Sequence, residues 1–176
     1  MKTSLFTALL VVISLVSVND LNAQKFRSLD KSPLDVIAYP TGHRETNKTI
    51  KIYYSRPQLK GRTVESLAPA GKVWRTGANE AVEITFAKDT TFGGEKVKAG
   101  TYSLFTIPGE KEWTVILNSA TNVWGAYSYD EAKDVVRVSG KVSKSDKEIE
   151  AYSMAFGKKK ELFMGWGNTI VTVPIE

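Results

Sequence analysis

The 176-residue chain has no cysteine and a single histidine, His43. Without cysteine no disulfide can form, so an oxidising compartment would give this protein no covalent support. The fold has to stand on packing. Zinc sites draw on Cys and His in numbers, so the same scarcity removes most metal chemistry. A lone His43 among strand and turn residues reads as a surface or turn group, and neither a metal nor a cofactor is expected. No segment keeps a helical spacing of apolar residues over several turns. Neither Gly77 nor the pair Gly93-Gly94 opens a helix, so no phosphate loop is present. His43 has no flanking signature of a Ser–His–Asp hydrolase. After the first two dozen residues there is no second long apolar run, so no stable membrane insertion is expected once the leader is gone.

The N-terminus has a definite pattern. Lys2 is positive, Leu5 to Val18 is apolar and uncharged, and Asn19-Asp20 is followed by Leu21-Asn22-Ala23. This is the order of a secretory signal peptide with a small residue at its cleavage site. Residues 1–23 are read as the leader and 24–176 as one β-sandwich domain. The competing reading, an uncleaved anchor helix, meets a run shorter than the ~20 residues needed to cross a bilayer. With no Cys near the cut, a lipoprotein is disfavoured. Export places the mature chain in the periplasm or cell envelope. A mature chain of this size can bury about 68–70% of its unfolded surface, enough for a core without crosslinks.

The formal charge of +5 is mild and scattered. Its densest run, Lys158-Lys159-Lys160, follows Gly157 and reads as a hairpin loop kept soluble by charge. Nucleic-acid binding would need a basic face with groove-reading or stacking elements, so no nucleic-acid partner is expected.

What the mature chain does contain is strand alternation. Ile50, Ile52 and Tyr54 alternate with Lys51, Tyr53 and Ser55. Val82, Ile84 and Phe86 alternate with Glu83 and Thr85. Trp113, Val115 and Leu117, then Val136 and Val138, then Leu162, Met164 and Trp166 continue the pattern. Residues 170–175 form a last strand, with Pro174 at its end or edge. Tyr102 to Ile107 and Tyr152 to Phe156 carry bulk on both faces, which predicts central positions. Gly93-Gly94 is a two-residue hairpin signal, and Pro108 to Lys111 is a second turn. Thr63 to Ala68 and Tyr129 to Lys133 are expected to hold single helical turns, and the polar stretch from Gln24 to Lys31 is expected to fray. Turns about every ten residues predict an all-β fold, an antiparallel β-sandwich that is jelly-roll-like or a partly open barrel.

The chemistry-bearing residues cluster between Tyr54 and Glu80. Pro57 ends a strand and Gly61 permits a bend, so one loop presents Arg56, Lys60 and Arg62. A second loop, Trp74 to Glu80, adds Arg75 and Asn79. Guanidinium forks suit carboxylate, phosphate and sulfate, which points to a small polar or anionic ligand. The structural alternative is an arginine–glutamate network through Glu65, Glu80 and Glu83, and the sequence leaves both open. Glu80 is the best single catalytic candidate, because a neighbouring guanidinium favours its charged form and hence a base role. A glycosidase would need a second carboxylate, and nothing links Glu112, Asp130 or Asp134 to Glu80. Trp124, next to Gly125-Ala126-Tyr127, is a candidate pocket wall able to stack on a flat ligand, although aromatics in β-proteins are more often core.

Tyr-Ser-Arg-Pro at 54–57, Lys-Gly-Arg at 60–62 and Trp-Arg-Thr-Gly-Ala-Asn-Glu at 74–80 resemble the domain of unknown function 2911 family. So do Ala-Gly-Thr-Tyr-Ser-Leu-Phe-Thr-Ile-Pro at 99–108 and, after it, Trp113, Asn118 and Trp124-Gly125-Ala126-Tyr127. The likeness runs from about Ser32-Pro33 to the C-terminus. It implies an exported protein of a Bacteroidetes-type bacterium in the periplasm or envelope, and it implies no activity. Two departures stand out: Glu65-Ser66 where members often have an aromatic-Gly pair, and Trp166-Gly167 where a late strand often ends Trp-Glu. Three functions follow as expectations: a ligand-binding protein using Arg56, Arg62, Arg75, Asn79 and Trp124; a hydrolase-type enzyme with Glu80 as base; and a structural envelope protein. Oligomeric state has no sequence signal here.

Overall fold

The computed structural model describes residues 26–176, so the predicted leader lies outside the described residues. The alternating segments become β1 (Leu34–Tyr39), β2 (Ile50–Ser55), β3 (Val82–Phe86), β4 (Thr90–Phe92), β5 (Glu95–Val97), β6 (Gly100–Ile107), β7 (Glu112–Asn118), β8 (Asp134–Phe156) and β9 (Leu162–Val173). A four-residue helix, α1 (Val64–Leu67), and a 3₁₀ turn at Glu131–Lys133 sit where single turns were expected. Seven strands form one antiparallel sheet in the order β1-β2-β3-β6-β7-β8-β9, and β4-β5 make a separate hairpin. The sheet curls into a half-barrel. The all-β antiparallel expectation holds, in its partly open barrel form. No helix among the described residues is long and apolar enough to cross a membrane.

Alternation decides the faces. Ile50, Ile52, Val82, Ile84, Leu104, Val115 and Leu117 point into the concave side and are buried. Their neighbours on β6 and β7, Phe105 and Ile116, point outward yet are also buried, packed with Ala81, Val123 and Tyr129. Two-sided burial makes β6 the central strand of the seven, as its bulk on both faces predicted. The concave core is closed by aromatic rings. Trp74 lies parallel to Trp166 at 5.3 Å and edge-on to Tyr152 and Trp113.

β8 and β9 depart from the sequence reading, which split each into two short strands. β8 runs 23 residues and slips register twice between Lys144 and Ser153. Bulges allow that: the extra residues bend the strand without ending its pairing. In β9, Gly167 takes φ 56 and lets the strand carry on past Trp166. Beyond the slips, β8 turns back toward β2. Tyr152 N–H donates to Pro57 O at 2.9 Å, and Leu59 N–H donates to Glu150 O at 3.0 Å. Tyr152 and Met154 are buried because the barrel folds over that face, but Ser153 and Phe156 are half-buried and Ala155 is exposed, so the segment is not the central, two-sided strand its bulk suggested; β8 is next to last in the sheet. The Gly93-Gly94 hairpin is present as expected. It is tied to the chain end by Gly93 N–H to Pro174 O (2.8 Å) and by paired bonds between Thr91 and Glu176.

Candidate functional site

The segment 74–80 is built to turn sharply at the barrel rim. Trp74 anchors it, exchanging two backbone hydrogen bonds with Thr106 at 2.7 and 2.9 Å. Thr76 then takes a left-handed backbone, φ 61, although it is β-branched and fully buried. That conformation is unfavourable for such a residue. It is held by the Thr76 hydroxyl, which bonds Thr106 Oγ1 at 3.2 Å and Trp74 O at 3.3 Å. Gly77 passes so close to β2 that a Cβ there would lie 3.1 Å from Ser55 O. Asn79 is left-handed as well, φ 60, and delivers the chain into a short ladder with residues 123–125.

In that ladder Ala81 N–H donates to Val123 O at 2.8 Å and Gly125 N–H donates to Asn79 O at 2.9 Å. Glu80 and Trp124 lie opposite one another between these bonds. This is the non-hydrogen-bonded position of an antiparallel pair, where facing side chains approach most closely. Both residues line a cleft of about 390 Å³ on the convex side of the sheet. Tyr53 of β2 and Glu83 of β3, directly paired in register, supply its floor. Asn79 and Asn122 add amides, and Arg27, Asp30 and Ser32 of the N-terminal segment line the remaining side. Trp124 is 59% exposed and Tyr53 44%. Exposed aromatics on a polar cleft are the unusual feature, since the other three tryptophans are buried.

The loop carrying Trp124 is pinned from below. Asn118, buried, donates to Asp130 O at 2.9 Å and Asp134 Oδ1 at 2.8 Å. Tyr129 donates to Asp134 Oδ2 at 2.6 Å, and Arg137 reaches both Asp134 Oδ2 (2.6 Å) and the Tyr129 oxygen (2.7 Å). Burial, then the hydrogen bond to Asp134, pushes the Tyr129 hydroxyl up to about 12. Asp134 is therefore a fastener and does not line the cleft, nor do Asp130 and Glu112. Two carboxylates share the cleft with Glu80: Glu83, whose Oε1 accepts from Asn122 N–H at 2.6 Å, and Asp30, whose Oδ1 accepts from Ser32 N–H at 2.7 Å.

The sequence-predicted residues divide. Asn79, Glu80 and Trp124 come together; Arg56, Arg62 and Arg75 do not join them. The Arg56 fork closes the barrel seam: Nε donates to Tyr152 O (3.0 Å), Nη2 to Ser153 Oγ (2.7 Å) and Nη1 to Asp35 Oδ2 (3.2 Å). Its acid is thus Asp35, not one of the glutamates considered from sequence. Arg62 turns back on its own loop, donating to Leu59 O (2.9 Å) and Gln58 O (2.8 Å). Arg75 Nε is buried without a hydrogen-bond partner among the described residues. Tyr53, Glu83 and Asn122 were missed as site residues. The signal for Tyr53 and Glu83 was their place on the solvent face of their strands. Asn122 lay in a polar break that gave no direction. Among the described residues no group of three or more His, Asp or Glu is placed to hold a metal ion.

The class defined by these features is a curled antiparallel half-barrel with an acidic, aromatic-walled cleft on its convex face. Residues 32–175 match the family described as a protein of unknown function, DUF2911, and the chain belongs to that family. The family resemblance expected from the motifs at 54–57, 60–62, 74–80 and 99–108 is thereby shown. No curated protein and no solved structure matches the chain.

Proposed function

We propose that this is an exported protein of the periplasm or cell envelope that binds a small polar ligand in the cleft between Glu80, Trp124 and Tyr53. Export rests on the leader pattern of residues 1–23. The binding reading rests chiefly on one observation: the strained turn and short ladder that hold Glu80 against a largely exposed Trp124. Strain at Thr76 and Asn79 is spent where it aims side chains at a concavity, a pattern associated with ligand sites. The cleft volume falls in the range of small-molecule pockets, about 300–1,000 Å³.

The ligand differs from the one the loop arginines suggested. Three carboxylates, Asp30, Glu80 and Glu83, line the cleft against one guanidinium, Arg27. Such a lining repels anions, so the ligand class moves from anionic to uncharged or cationic.

Thermal unfolding against a panel of sugars, amines, carboxylates and phosphates tests the reading. A ligand at a hundred times its dissociation constant adds about 2.7 kcal/mol. The shift should vanish in Trp124→Ala and persist in Arg56→Ala, once each is referred to its own unliganded midpoint. A shift that survives Trp124→Ala with Glu80→Ala, or none with any ligand class, rejects the cleft.

A further inference from the structure

We infer that the ligand of this cleft is a neutral saccharide, with one sugar ring laid on Trp124 and its hydroxyls bonded by Asn79, Asn122, Glu80 and Glu83. This rests on the cleft reading above and names its substrate class. Two aromatic rings are presented by separate elements, Trp124 from the loop after β7 and Tyr53 from β2, and both are exposed. A sugar ring has an apolar C–H face that can lie on an indole and a rim of hydroxyls that must be matched. Amides both donate and accept, and ionised carboxylates only accept. Asn79 and Asn122 with Glu80 and Glu83 therefore fit hydroxyls, each of which donates once and accepts as well. An ammonium ligand would donate only, and so could not accept from the Asn79 amide or from the Asn122 amide, which has one NH₂ bond to Thr121 Oγ1 at 3.3 Å. A phosphate or carboxylate ligand would face the three acids.

Backbone geometry supports the assignment. Asn79 and Asn122 are both left-handed, φ 60 and φ 57, and each stands at one end of the strand pair that carries Glu80 and Trp124. The backbone thus places these two residues on either side of the ring position, and the Asn122 amide is further held by donating to Thr121 Oγ1 at 3.3 Å. The cleft is open to solvent, so a sugar unit within a longer glycan has access as well as a free one.

The test is a titration of the mature protein with neutral hexoses, pentoses and their α- and β-linked oligosaccharides, beside choline, putrescine, acetate and phosphate. The readout is tryptophan fluorescence, with calorimetry as the independent measure. The expected result is binding by a saccharide with affinity unchanged between low and high salt. It should weaken at least tenfold in Trp124→Ala and in Asn79→Gly, the second chosen because glycine removes the amide and keeps the left-handed backbone at φ 60 without strain. Binding of an amine with steep salt dependence and no saccharide binding overturns the inference while leaving the cleft as a site. No binding by any compound, with Trp124→Ala indistinguishable from wild type throughout, overturns both.

Discussion

Thr76 concentrates the cost of the rim turn in one residue. Its hydroxyl meets Thr106 Oγ1 while its backbone holds φ 61. Thr76→Val keeps the backbone strain and leaves the buried Thr106 hydroxyl without its partner, so it should destabilise by about 1–3 kcal/mol. Thr76→Gly loses the same bond but relieves the left-handed strain, so its urea midpoint should fall less than that of the valine variant. Equal losses would mean that the strain is not borne there. Tyr129 gives a pH prediction. Its hydroxyl rises from 10 to about 12, so between those values the unfolded chain gives up a proton that the native state keeps. Stability from this group is full below pH 10 and is lost as pH climbs toward 12. Tyr129→Phe should flatten that alkaline decline in a chemical-denaturation series, and an unchanged slope would contradict the assigned network.

At the scale of elements, Arg56 adds a side-chain clamp to the backbone bonds that join the segment after β2 to β8. Arg56 bridges Asp35 of β1 to Tyr152 and Ser153 of β8, with its side chain about a third exposed. Arg56→Ala should cost about 1–2 kcal/mol, and Arg56→Lys should recover little, because a single ammonium cannot span three acceptors. The hairpin β4-β5 offers a harsher probe. Gly93 sits at φ 59, and a Cβ there would lie 2.6 Å from the Val138 side chain. Gly93→Val should therefore lift the hairpin from β8 and lower the melting temperature more than any substitution at the neighbouring Gly94, where a Cβ meets nothing within 4 Å.

Elements were legible in proportion to how local their cause is. The period-two pattern of Ile50–Tyr54 and Val82–Phe86 is a statement about neighbours, and it became β2 and β3. The Gly93-Gly94 turn is equally local. The continuity of β8 is not: Ser143 to Glu148 is polar on both faces because it lies largely exposed, which erases the alternation that would mark it as strand. The arginines misled for a related reason. Sequence shows how many forks two loops carry, but both acceptors of Arg62 are backbone carbonyls, which every residue offers, and those of Arg56 come from residues 21 and 96–97 positions away, which no local pattern marks. Trp124, Asn79 and Glu80 were readable because an aromatic or charged group beside turn formers has few structural uses. Tyr53, hidden in a regular strand, needed the sheet's curvature to become part of a wall.

For the molecule as a whole, charge and site disagree in sign. The chain carries +5, yet the cleft gathers three acids around one arginine. Binding of an uncharged ligand should therefore be nearly indifferent to ionic strength, whereas general adhesion of the protein to anionic surfaces should weaken with salt over a Debye length of about 8–10 Å. Removing Trp166 from the core should cost about 3–5 kcal/mol, several times the effect of removing Trp124, which is mostly solvent-exposed. Similar losses at the two positions would contradict the burial that separates core from cleft.

The parallel stack of Trp74 on Trp166, 5.3 Å between rings and 10° from coplanar, joins the rim segment to β9. Two indoles held so near and so nearly aligned couple their electronic transitions. Far-ultraviolet circular dichroism, where the strong indole transition lies, should accordingly carry an exciton couplet that exists only while the rim segment is docked on β9. That couplet is an optical gauge of closure, and ligands resting on Trp124 at the outer surface should leave it undisturbed.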